Sequence, residues 1–264
     1  MQKKSAGNYP QNLHFREGKT IFLNGTYYSV TEKGSGFPLL FLHGFGLTKE
    51  SFTKQIDCFS QKFRVIAPDF PGAGKSSPMP YPFRMEDYAA WTENLLNALG
   101  IEKAFVCGHS FGGRVALMLA ANTDAVEKLV LLSAAGLKPR FGFLRTLREK
   151  RFKNRKSRLG EAELSAFGSP DYRALSPTEK RSFSLVVKED LSPLLPRVHC
   201  PTLVLFGEKD KETPVYMAKK FHRKIHGSVL EILDGQGHFA FTEDAERVNR
   251  KMMTFFCSQS VRRG

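Results

Sequence analysis

A serine lies in the pattern Gly-x-Ser-x-Gly, at Gly108-His109-Ser110-Phe111-Gly112. An apolar run typical of a strand precedes this pattern, and a helix-favouring run follows it. Small residues on both sides let the backbone turn sharply and present the Ser110 hydroxyl at the tip of the turn. Because a serine hydroxyl attacks a carbonyl carbon once a base removes its proton, Ser110 is a candidate nucleophile for acyl transfer.

A base and an acid that could activate Ser110 follow two later apolar runs. Asp210 lies in the acidic segment 207–214, and His238 comes directly after Gly237. Residues that follow parallel strands meet at one edge of a sheet, so these side chains can converge although they are far apart in sequence. Their order along the chain is nucleophile, orienting acid and general base. Glu208 and Glu212 lie in the same acidic segment and compete with Asp210 for its role.

A third requirement of acyl transfer is a pair of donors for the oxyanion of the tetrahedral intermediate. The apolar run 38–42 ends in His43-Gly44-Phe45-Gly46, whose glycines leave room for a substrate beside the backbone. The main-chain N–H groups of Phe45 and Phe111 are therefore the candidate oxyanion donors.

The elements that must position these residues alternate between short apolar runs and amphipathic stretches, which is typical of parallel βαβ units and predicts an α/β fold. The chain enters through a predicted hairpin over 20–30, because Asn24-Gly25 favours a tight turn. Strands are predicted at 38–42, 63–68, 103–107, 128–132, 202–206 and 228–233. Helices are predicted near 84–99, 111–122, 214–226 and 243–257.

The alternation breaks between Leu132 and Thr202, and this stretch predicts a helical insertion over the sheet. Its part 138–158 holds ten Lys or Arg against one acid, with Phe141 and Phe143 among them. The apolar side chains could pack on the sheet or line a pocket while the charges face water. Alternatively, the basic face could attract an anionic substrate or an anionic membrane surface.

Composition narrows the class of protein. The chain has 264 residues, 41% of them hydrophobic, and its 40 Lys and Arg against 26 Asp and Glu give a net charge of +14. No apolar run is long enough to span a bilayer and no secretory signal is visible, so we expect a cytoplasmic protein. The basic balance predicts only non-specific attraction to nucleic acid, because no groove-reading or base-stacking motif accompanies it.

Two features bear on metals and thiols. The four cysteines are far apart in sequence, which indicates buried free thiols rather than disulfides or a zinc site. His222 and His226 are four residues apart on a predicted helix, but the Glu of the H-E-x-x-H pattern is absent and basic residues surround them. We therefore expect no metal and no organic cofactor.

These motifs together resemble the α/β-hydrolase superfamily over nearly the whole chain outside the insertion. The family's H-G-x-G segment is similar to 43–46, its D-x-P-G-x-G-x-S loop to 69–76, and its nucleophile elbow to 108–112. Its acid and histidine turns are similar to 207–214 and 237–238. The resemblance implies an eight-stranded, mostly parallel sheet with helices on both faces. It also implies a hydrolase core at 1–137 and 197–264 and a helical cap at 138–196.

The resemblance also ranks the candidate acids and activities. The family pattern G-x-x-D favours Asp210, then Glu212, and the run after the sixth strand, beginning at Ser133, offers no carboxylate. Haloalkane dehalogenases and epoxide hydrolases of this superfamily carry an aspartate at the elbow, so Ser110 disfavours both activities.

The expected function is hydrolysis of carboxylic esters with hydrophobic acyl groups through a Ser110, His238 and Asp210 triad. The expected substrate is a small ester or thioester, and it could be anionic. A thioesterase and a carbon–carbon hydrolase would use the same triad, and a ligand-binding sensor with slow turnover is an alternative of another class. The expected lining of the substrate pocket is aromatic: Phe45, Phe111, Phe141, Phe143 and Phe239.

Overall fold

A computed structural model describes residues 19–138 and 170–258 of the chain. These residues form an eight-stranded sheet flanked by helices. The strands are β1 (Lys19–Leu23), β2 (Thr26–Lys33), β3 (Pro38–Leu42), β4 (Arg64–Pro68), β5 (Ala104–His109), β6 (Val126–Leu132), β7 (Thr202–Gly207) and β8 (Val229–Leu233). The α-helices are α1 (Thr53–Phe59), α2 (Met85–Ala98), α3 (Phe111–Asn122), α4 (Pro170–Ala174), α5 (Pro177–Val186), α6 (Val215–Lys224), α7 (Ala240–Glu243) and α8 (Ala245–Cys257). Two 3-10 helices span Lys49–Phe52 and Ser192–Arg197.

The sheet has the strand order β1-β2-β4-β3-β5-β6-β7-β8. The β1–β2 hairpin is antiparallel, and β2 also pairs with β4 in the antiparallel sense, whereas the remaining neighbours are parallel. Asn24 and Gly25 at the hairpin turn have φ of 50° and 77°, the positive values that a tight turn of this kind needs. The predicted fold class, a mostly parallel eight-stranded α/β sheet with helices on both faces, is confirmed.

The central strands are buried on both faces of the sheet, and their successive side chains point to opposite sides. In β3, Leu40 and Leu42 pack with the apolar residues of α2, α3 and α6. Leu39 and Phe41 pack on the other face with α1 and α8. The two layers of helices hold the parallel strands in register, so the loops after the strands start from fixed positions.

The sequence located most of these elements. Strand β3 and helix α3 have the predicted bounds, and β7 extends one residue beyond its prediction, to Gly207. Helix α6 ends at Lys224, two residues earlier than predicted. Helix α1 was not predicted, because Ile56 and Phe59 are its two buried apolar residues and so short a stretch shows no clear periodicity.

Part of the expected cap is described. Residues 170–197 contain α4, α5 and a 3-10 helix. Helix α5 begins at a capping box, in which Ser176 Oγ accepts from the N–H of Glu179 and the Glu179 carboxylate accepts from the N–H of Ser176. The predictions made for Phe141 and Phe143, and those for all but the first residue of the basic segment 138–158, lie outside the described residues.

The expectation of buried thiols holds fully at Cys107, holds in part at two positions and fails at Cys257. All four cysteines are free; Cys107 is buried and Cys58 and Cys200 are half-buried, but Cys257 is exposed. The expectation of a buried thiol at Cys257 is wrong because it follows Phe256, which is on the buried face of α8, and one helical step turns its side chain towards solvent. Across residues 19–138 and 170–258, no helix is both long and apolar enough to cross a membrane.

Candidate active site

The predicted nucleophile lies on a strained turn between β5 and α3. Ser110 has φ of 50° and ψ of −110°, a conformation that a residue with a side chain rarely adopts. A Cβ atom on Gly112 would collide with the main-chain oxygen of Leu42, and one on Gly108 would collide with the carbonyl of Gly112. The two glycines therefore let the turn pack directly against the end of β3, and the turn raises the half-buried Ser110 side chain above the sheet edge.

The predicted acid and base are in direct contact. Asp210 follows β7 and His238 follows β8, and both lie at the carboxyl ends of the parallel strands, as Ser110 does. Nδ1 of His238 lies 2.9 Å from Oδ2 of Asp210, and both side chains are buried. The carboxylate thereby places the imidazole proton on Nδ1 and leaves Nε2 as the nitrogen that can accept a proton from a nucleophile.

Asp210 is held as a carboxylate by several donors. The N–H groups of Glu212 and Thr213 donate to Oδ1 over 2.9 and 2.8 Å, and the Thr213 hydroxyl lies 2.7 Å from Oδ2. Burial opposes ionisation, but the hydrogen bonds from His238 and Thr213 outweigh it and lower the pKa of Asp210. Asp210 is thus negatively charged wherever His238 can act as a base.

The competing acids occupy other positions. Oε2 of Glu208 accepts from the N–H of Gly235 over 2.9 Å, on the outer side of the loop. Oε2 of Glu212 lies 3.4 Å from Nε2 of His238, the opposite ring nitrogen, and its side chain is 64% exposed. Of the three acids, Asp210 is therefore the one bonded to Nδ1 of His238.

Ser110 is at the same sheet edge but is not bonded to the imidazole. Within the described ranges its Oγ makes no hydrogen bond, and Nε2 of His238 faces Glu212 instead. Catalytic hydrogen bonds are often open before substrate binds, and a rotation of the exposed Glu212 side chain would free Nε2. The structure thus brings Asp210 and His238 together and leaves the third contact unmade.

Two buried histidines flank the site, and both are neutral. Burial and the neighbouring His238 lower the pKa of His109 to about 3. Burial also lowers the pKa of His43, whose Nε2 accepts from the N–H of Phe70 over 3.1 Å and whose Nδ1 donates to the carbonyl of Gly44 over 2.8 Å. His43 therefore joins the loop after β3 to the loop after β4.

The proposed oxyanion donors are available. Within residues 19–138 and 170–258, the main-chain N–H groups of Phe45 and Phe111 donate to no other group. Phe111 is the first residue of α3, and N–H groups in the first turn of a helix have no partner inside the helix. The helix dipole also favours negative charge at this end.

A buried ion pair supports the loop after β3. Nζ of Lys49 lies 2.6 Å from Oδ2 of Asp69, and the N–H of Lys49 donates to Oδ1 over 2.9 Å. The N–H of Lys75 also donates to Asp69, over 3.1 Å. Asp69, which the sequence analysis placed in the family loop 69–76, therefore fixes two loops at the sheet edge and does not face the imidazole of His238.

The aromatic residues around the candidate site come from two parts of the chain, the sheet-bearing core and the insertion. Phe45 lies against Phe183 of α5, with ring centroids 4.3 Å apart, and Tyr172 of α4 lies 5.4 Å from Phe183. Phe239 contacts His238 and His109. Phe183 and Tyr172 are not among the aromatic residues that the sequence motifs predict for the pocket. The pattern Ser176-x-x-Glu179, which begins α5, is the signal that could place Phe183 on a helix.

The described part of the insertion is tied to the nucleophile helix. Nη1 of Arg114, on α3, donates to the carbonyls of Val186 and Glu189 over 2.8 and 3.1 Å. Ser182 Oγ donates to the carbonyl of Phe83 over 2.8 Å. Helix α5 is therefore fixed over the same sheet edge that carries Ser110.

No metal centre is evident in the described ranges, which contain no group of three or more His, Cys, Asp or Glu side chains placed to hold an ion. The described residues at the candidate site offer a hydroxyl, an imidazole and a carboxylate, and the backbone offers main-chain N–H donors.

Several known proteins resemble this chain in sequence and in fold. The family model described as the alpha/beta hydrolase fold matches residues 38–245. The AB hydrolase superfamily protein YisY of Bacillus subtilis is 30% identical, over 86% of this chain and 94% of its own length. The 2-hydroxymuconate semialdehyde hydrolase of Pseudomonas putida is 29% identical, over 90% of this chain and 93% of its own. The solved esterase of Exiguobacterium antarcticum is 25% identical, with a TM-score of 0.73, covering 91% of this chain and 100% of that one.

The fold, the strained serine turn and these matches define the class: the chain belongs to the α/β hydrolase fold family. The resemblance seen in the sequence motifs is confirmed. The relatives named above include a 2-hydroxymuconate semialdehyde hydrolase and an esterase, and the family to which the chain belongs is one of hydrolase enzymes.

Proposed function

We propose that this chain is a serine hydrolase that cleaves carboxylic esters through an acyl-enzyme. The observation that carries this proposal is the 2.9 Å contact between Nδ1 of His238 and Oδ2 of Asp210, at the sheet edge where Ser110 stands on its strained turn. An imidazole oriented by a buried carboxylate is the base that a serine nucleophile requires.

In the proposed first step, Nε2 of His238 removes the proton of Ser110 as Oγ attacks the ester carbonyl. The carbonyl oxygen becomes an oxyanion and accepts hydrogen bonds from the N–H groups of Phe45 and Phe111. The tetrahedral intermediate then collapses, the bond to the alkoxy group breaks, and the imidazolium returns the proton to the leaving alcohol. Asp210 stabilises the imidazolium throughout this step.

In the second step, water replaces the alcohol. Nε2 of His238 takes a proton from the water as its oxygen attacks the acyl carbon, and Ser110 leaves with that proton as the acid is released. The carboxylic acid product and the free enzyme result.

The proposed substrate has a hydrophobic acyl group. The rings of Phe45 and Phe183 meet beside the proposed oxyanion donors, and Phe111 and Phe239 flank the serine and histidine turns. Aromatic walls favour apolar acyl chains because they remove apolar surface from water. The similarity to an esterase of Exiguobacterium antarcticum supports the same bond type.

A second candidate is hydrolysis of a carbon–carbon bond. The observation that favours it is the 29% identity to the 2-hydroxymuconate semialdehyde hydrolase of Pseudomonas putida over 90% of this chain. A thioester substrate would require the same three side chains. A comparison of turnover on an ester, the matching thioester and 2-hydroxymuconate semialdehyde would rank the three activities.

The test is hydrolysis of p-nitrophenyl esters of increasing acyl length by wild type and by Ser110→Ala. Ser60→Ala is the matched control, because its hydroxyl donates to the carbonyl of Asp57, on α1 in the opposite helix layer. Turnover that is lost in Ser110→Ala and retained in Ser60→Ala is the expected result. A folded wild type that cleaves no ester, no thioester and no 2-hydroxymuconate semialdehyde would contradict the proposal and favour a ligand-binding sensor.

A further inference from the structure

Thr213 is a buried residue at the site to which the proposed mechanism gives no role. Its Oγ1 lies 2.7 Å from Oδ2 of Asp210, 3.0 Å from the carbonyl oxygen of Ser133 and 3.4 Å from Nδ1 of His238. Its N–H also donates to Oδ1 of Asp210. Thr213 therefore contacts the carboxylate through both main chain and side chain.

The distances fix where the single hydroxyl proton goes. A hydroxyl that donated to Ser133 would turn its oxygen lone pairs towards the charged Oδ2 at 2.7 Å, which is repulsive. A hydroxyl that donates to Oδ2 forms a short, charge-assisted hydrogen bond and leaves lone pairs facing the N–H at Nδ1 of His238. The second arrangement satisfies every neighbour except the carbonyl of Ser133.

Resting on the serine-hydrolase function proposed above, we propose that Thr213 is a positioning residue for the Asp210–His238 pair. Its hydroxyl shares Oδ2 with the imidazole, restrains the carboxylate against rotation and partly neutralises the charge that His238 meets. The hydroxyl touches neither substrate nor the reacting atoms, so it acts through Asp210.

The Thr213 hydroxyl also affects the proton affinity of His238. A hydrogen bond from Thr213 withdraws negative charge from Oδ2, so the carboxylate stabilises the imidazolium less than a bare carboxylate would. Removing the hydroxyl should therefore strengthen the attraction between Asp210 and protonated His238. The imidazole would then hold its proton to higher pH, and the acidic limb of the activity profile would move upward.

Besides Asp210, two titratable groups in the described part of the chain face His238, and neither is substituted in this comparison. Glu212 lies against Nε2, on the side opposite Thr213. His109, on β5, packs its ring 4.8 Å from the imidazole and donates to the main-chain oxygen of His238, but it stays neutral because burial lowers its pKa to about 3. A shift caused by Thr213→Val is therefore attributable to the carboxylate.

The experiment measures kcat/KM against pH for wild type, Thr213→Val and Thr213→Ser with one p-nitrophenyl ester. In Thr213→Val we expect the acidic limb to rise by about half a pH unit or more, since a hydrogen bond to a charged group has been lost. We expect kcat to fall by about three- to tenfold with KM nearly unchanged, because the imidazole is less well oriented. Thr213→Ser should restore both values.

A second readout does not depend on turnover. Proton NMR follows the ring protons of His238 as pH changes, assigned by their absence in His238→Gln. Thr213→Val should move this titration upward as well. If wild type cleaves no ester but the titration moves, the proposed function fails and the positioning role stands; if turnover is present and neither quantity moves, the positioning role fails alone.

Thr202→Val is the matched control, because Thr202 is equally buried and its hydroxyl donates to the carbonyl of Cys200 at the opposite end of β7. An acidic limb that stays in place or moves downward in Thr213→Val would overturn the proposal, as would an equal shift in Thr202→Val. If Thr213→Val does not fold, Thr213→Ala and Thr213→Ser decide the matter by the same criteria.

Discussion

Nε2 of His109 lies 3.0 Å from the main-chain oxygen of His238. The residue that precedes the proposed nucleophile thus donates a hydrogen bond to the proposed base, and it does so as a neutral imidazole. This bond joins the last residue of β5 to the turn after β8, across β6 and β7. The relative position of serine and histidine therefore depends on a side chain that takes no part in proton transfer.

The neutral state of His109 predicts a loss of stability in acid. Its folded pKa of about 3 lies below the ordinary value of 6.5, so the unfolded chain binds one more proton between these values. The contribution of neutral His109 to the stability of the folded chain is complete above pH 6.5 and is lost as the pH falls towards 3. When the pH falls from about 7.5 to about 5, the titration of His109 should lower the free energy of unfolding by about 2 kcal/mol.

Urea unfolding of wild type and His109→Gln at these two pH values measures the effect. The glutamine amide can still donate to the carbonyl of His238 but does not titrate. The free energy of unfolding of His109→Gln should therefore fall less between the two pH values than that of wild type. His226→Gln, at an exposed histidine, should behave as wild type does. Equal acid sensitivity of wild type and His109→Gln would show that His109 is not the group responsible.

The two acids at the imidazole should respond very differently to amide substitution. Asp210→Asn should lower turnover about 10⁴-fold, because an amide stabilises the wrong tautomer of His238 and cannot balance the imidazolium. Glu212→Gln should change turnover less than about tenfold, since its exposed side chain lies at Nε2 and makes no contact with Nδ1. The comparison uses kcat for the same ester in both variants and wild type. Nearly full activity in Asp210→Asn would transfer the orienting role to Glu212 or Glu208.

Much of the fold could be predicted because apolar runs and their periods are local properties of the sequence. The run that forms β3 is apolar throughout, and α3 follows a glycine-rich turn with a long helix-favouring stretch. The same reasoning missed α1, whose seven residues carry little apolar pattern. It also placed Cys257 in the interior, although only every third or fourth residue of an amphipathic helix is buried.

The candidate site could be predicted where a residue's position is tied to a short motif. Ser110, Asp210 and His238 each stand in a glycine-containing turn after a strand, and this context marks them in the sequence. Thr213 and Phe183 are not part of such a motif, because their positions follow from contacts between segments that are distant in the chain. The unmade contact between Ser110 and His238 is likewise a property of side-chain rotation and leaves no trace in the sequence.

The packing of the serine turn predicts that Gly112 tolerates no side chain. In Gly112→Ala the new methyl group would overlap the main-chain oxygen of Leu42. Backbone atoms at the end of a strand cannot shift without a large cost in free energy. We expect a loss of several kcal/mol in the free energy of unfolding, on the order of 3 or more, measured by urea denaturation. Gly237→Ala is the control, because a Cβ atom there meets no heavy atom within 4 Å. Similar stability of the two variants would mean that the turn does not pack against β3 as described.

Arg114 predicts how the insertion is held. Its guanidinium is buried and bonded to the carbonyls of Val186 and Glu189, which lie at and just beyond the end of α5. The last carbonyls of a helix have no partner within it, so a cation there satisfies them and also opposes the helix dipole. Arg114→Met keeps most of the apolar stem and removes both hydrogen bonds.

In Arg114→Met, amide hydrogen exchange should accelerate about tenfold or more across 177–191, as expected when hydrogen bonds to a charged group are lost. Exchange in α2 should change much less, because α2 belongs to the apolar core and does not contact Arg114 through hydrogen bonds. Arg197→Met is the matched control: Arg197 bonds to Asn122 at the surface, so its loss should leave 177–191 protected. If exchange rises equally in α2 and α5, Arg114 stabilises the whole core; if it rises in neither, α5 is held by Ser182 and by ring contacts such as that between Phe183 and Phe45.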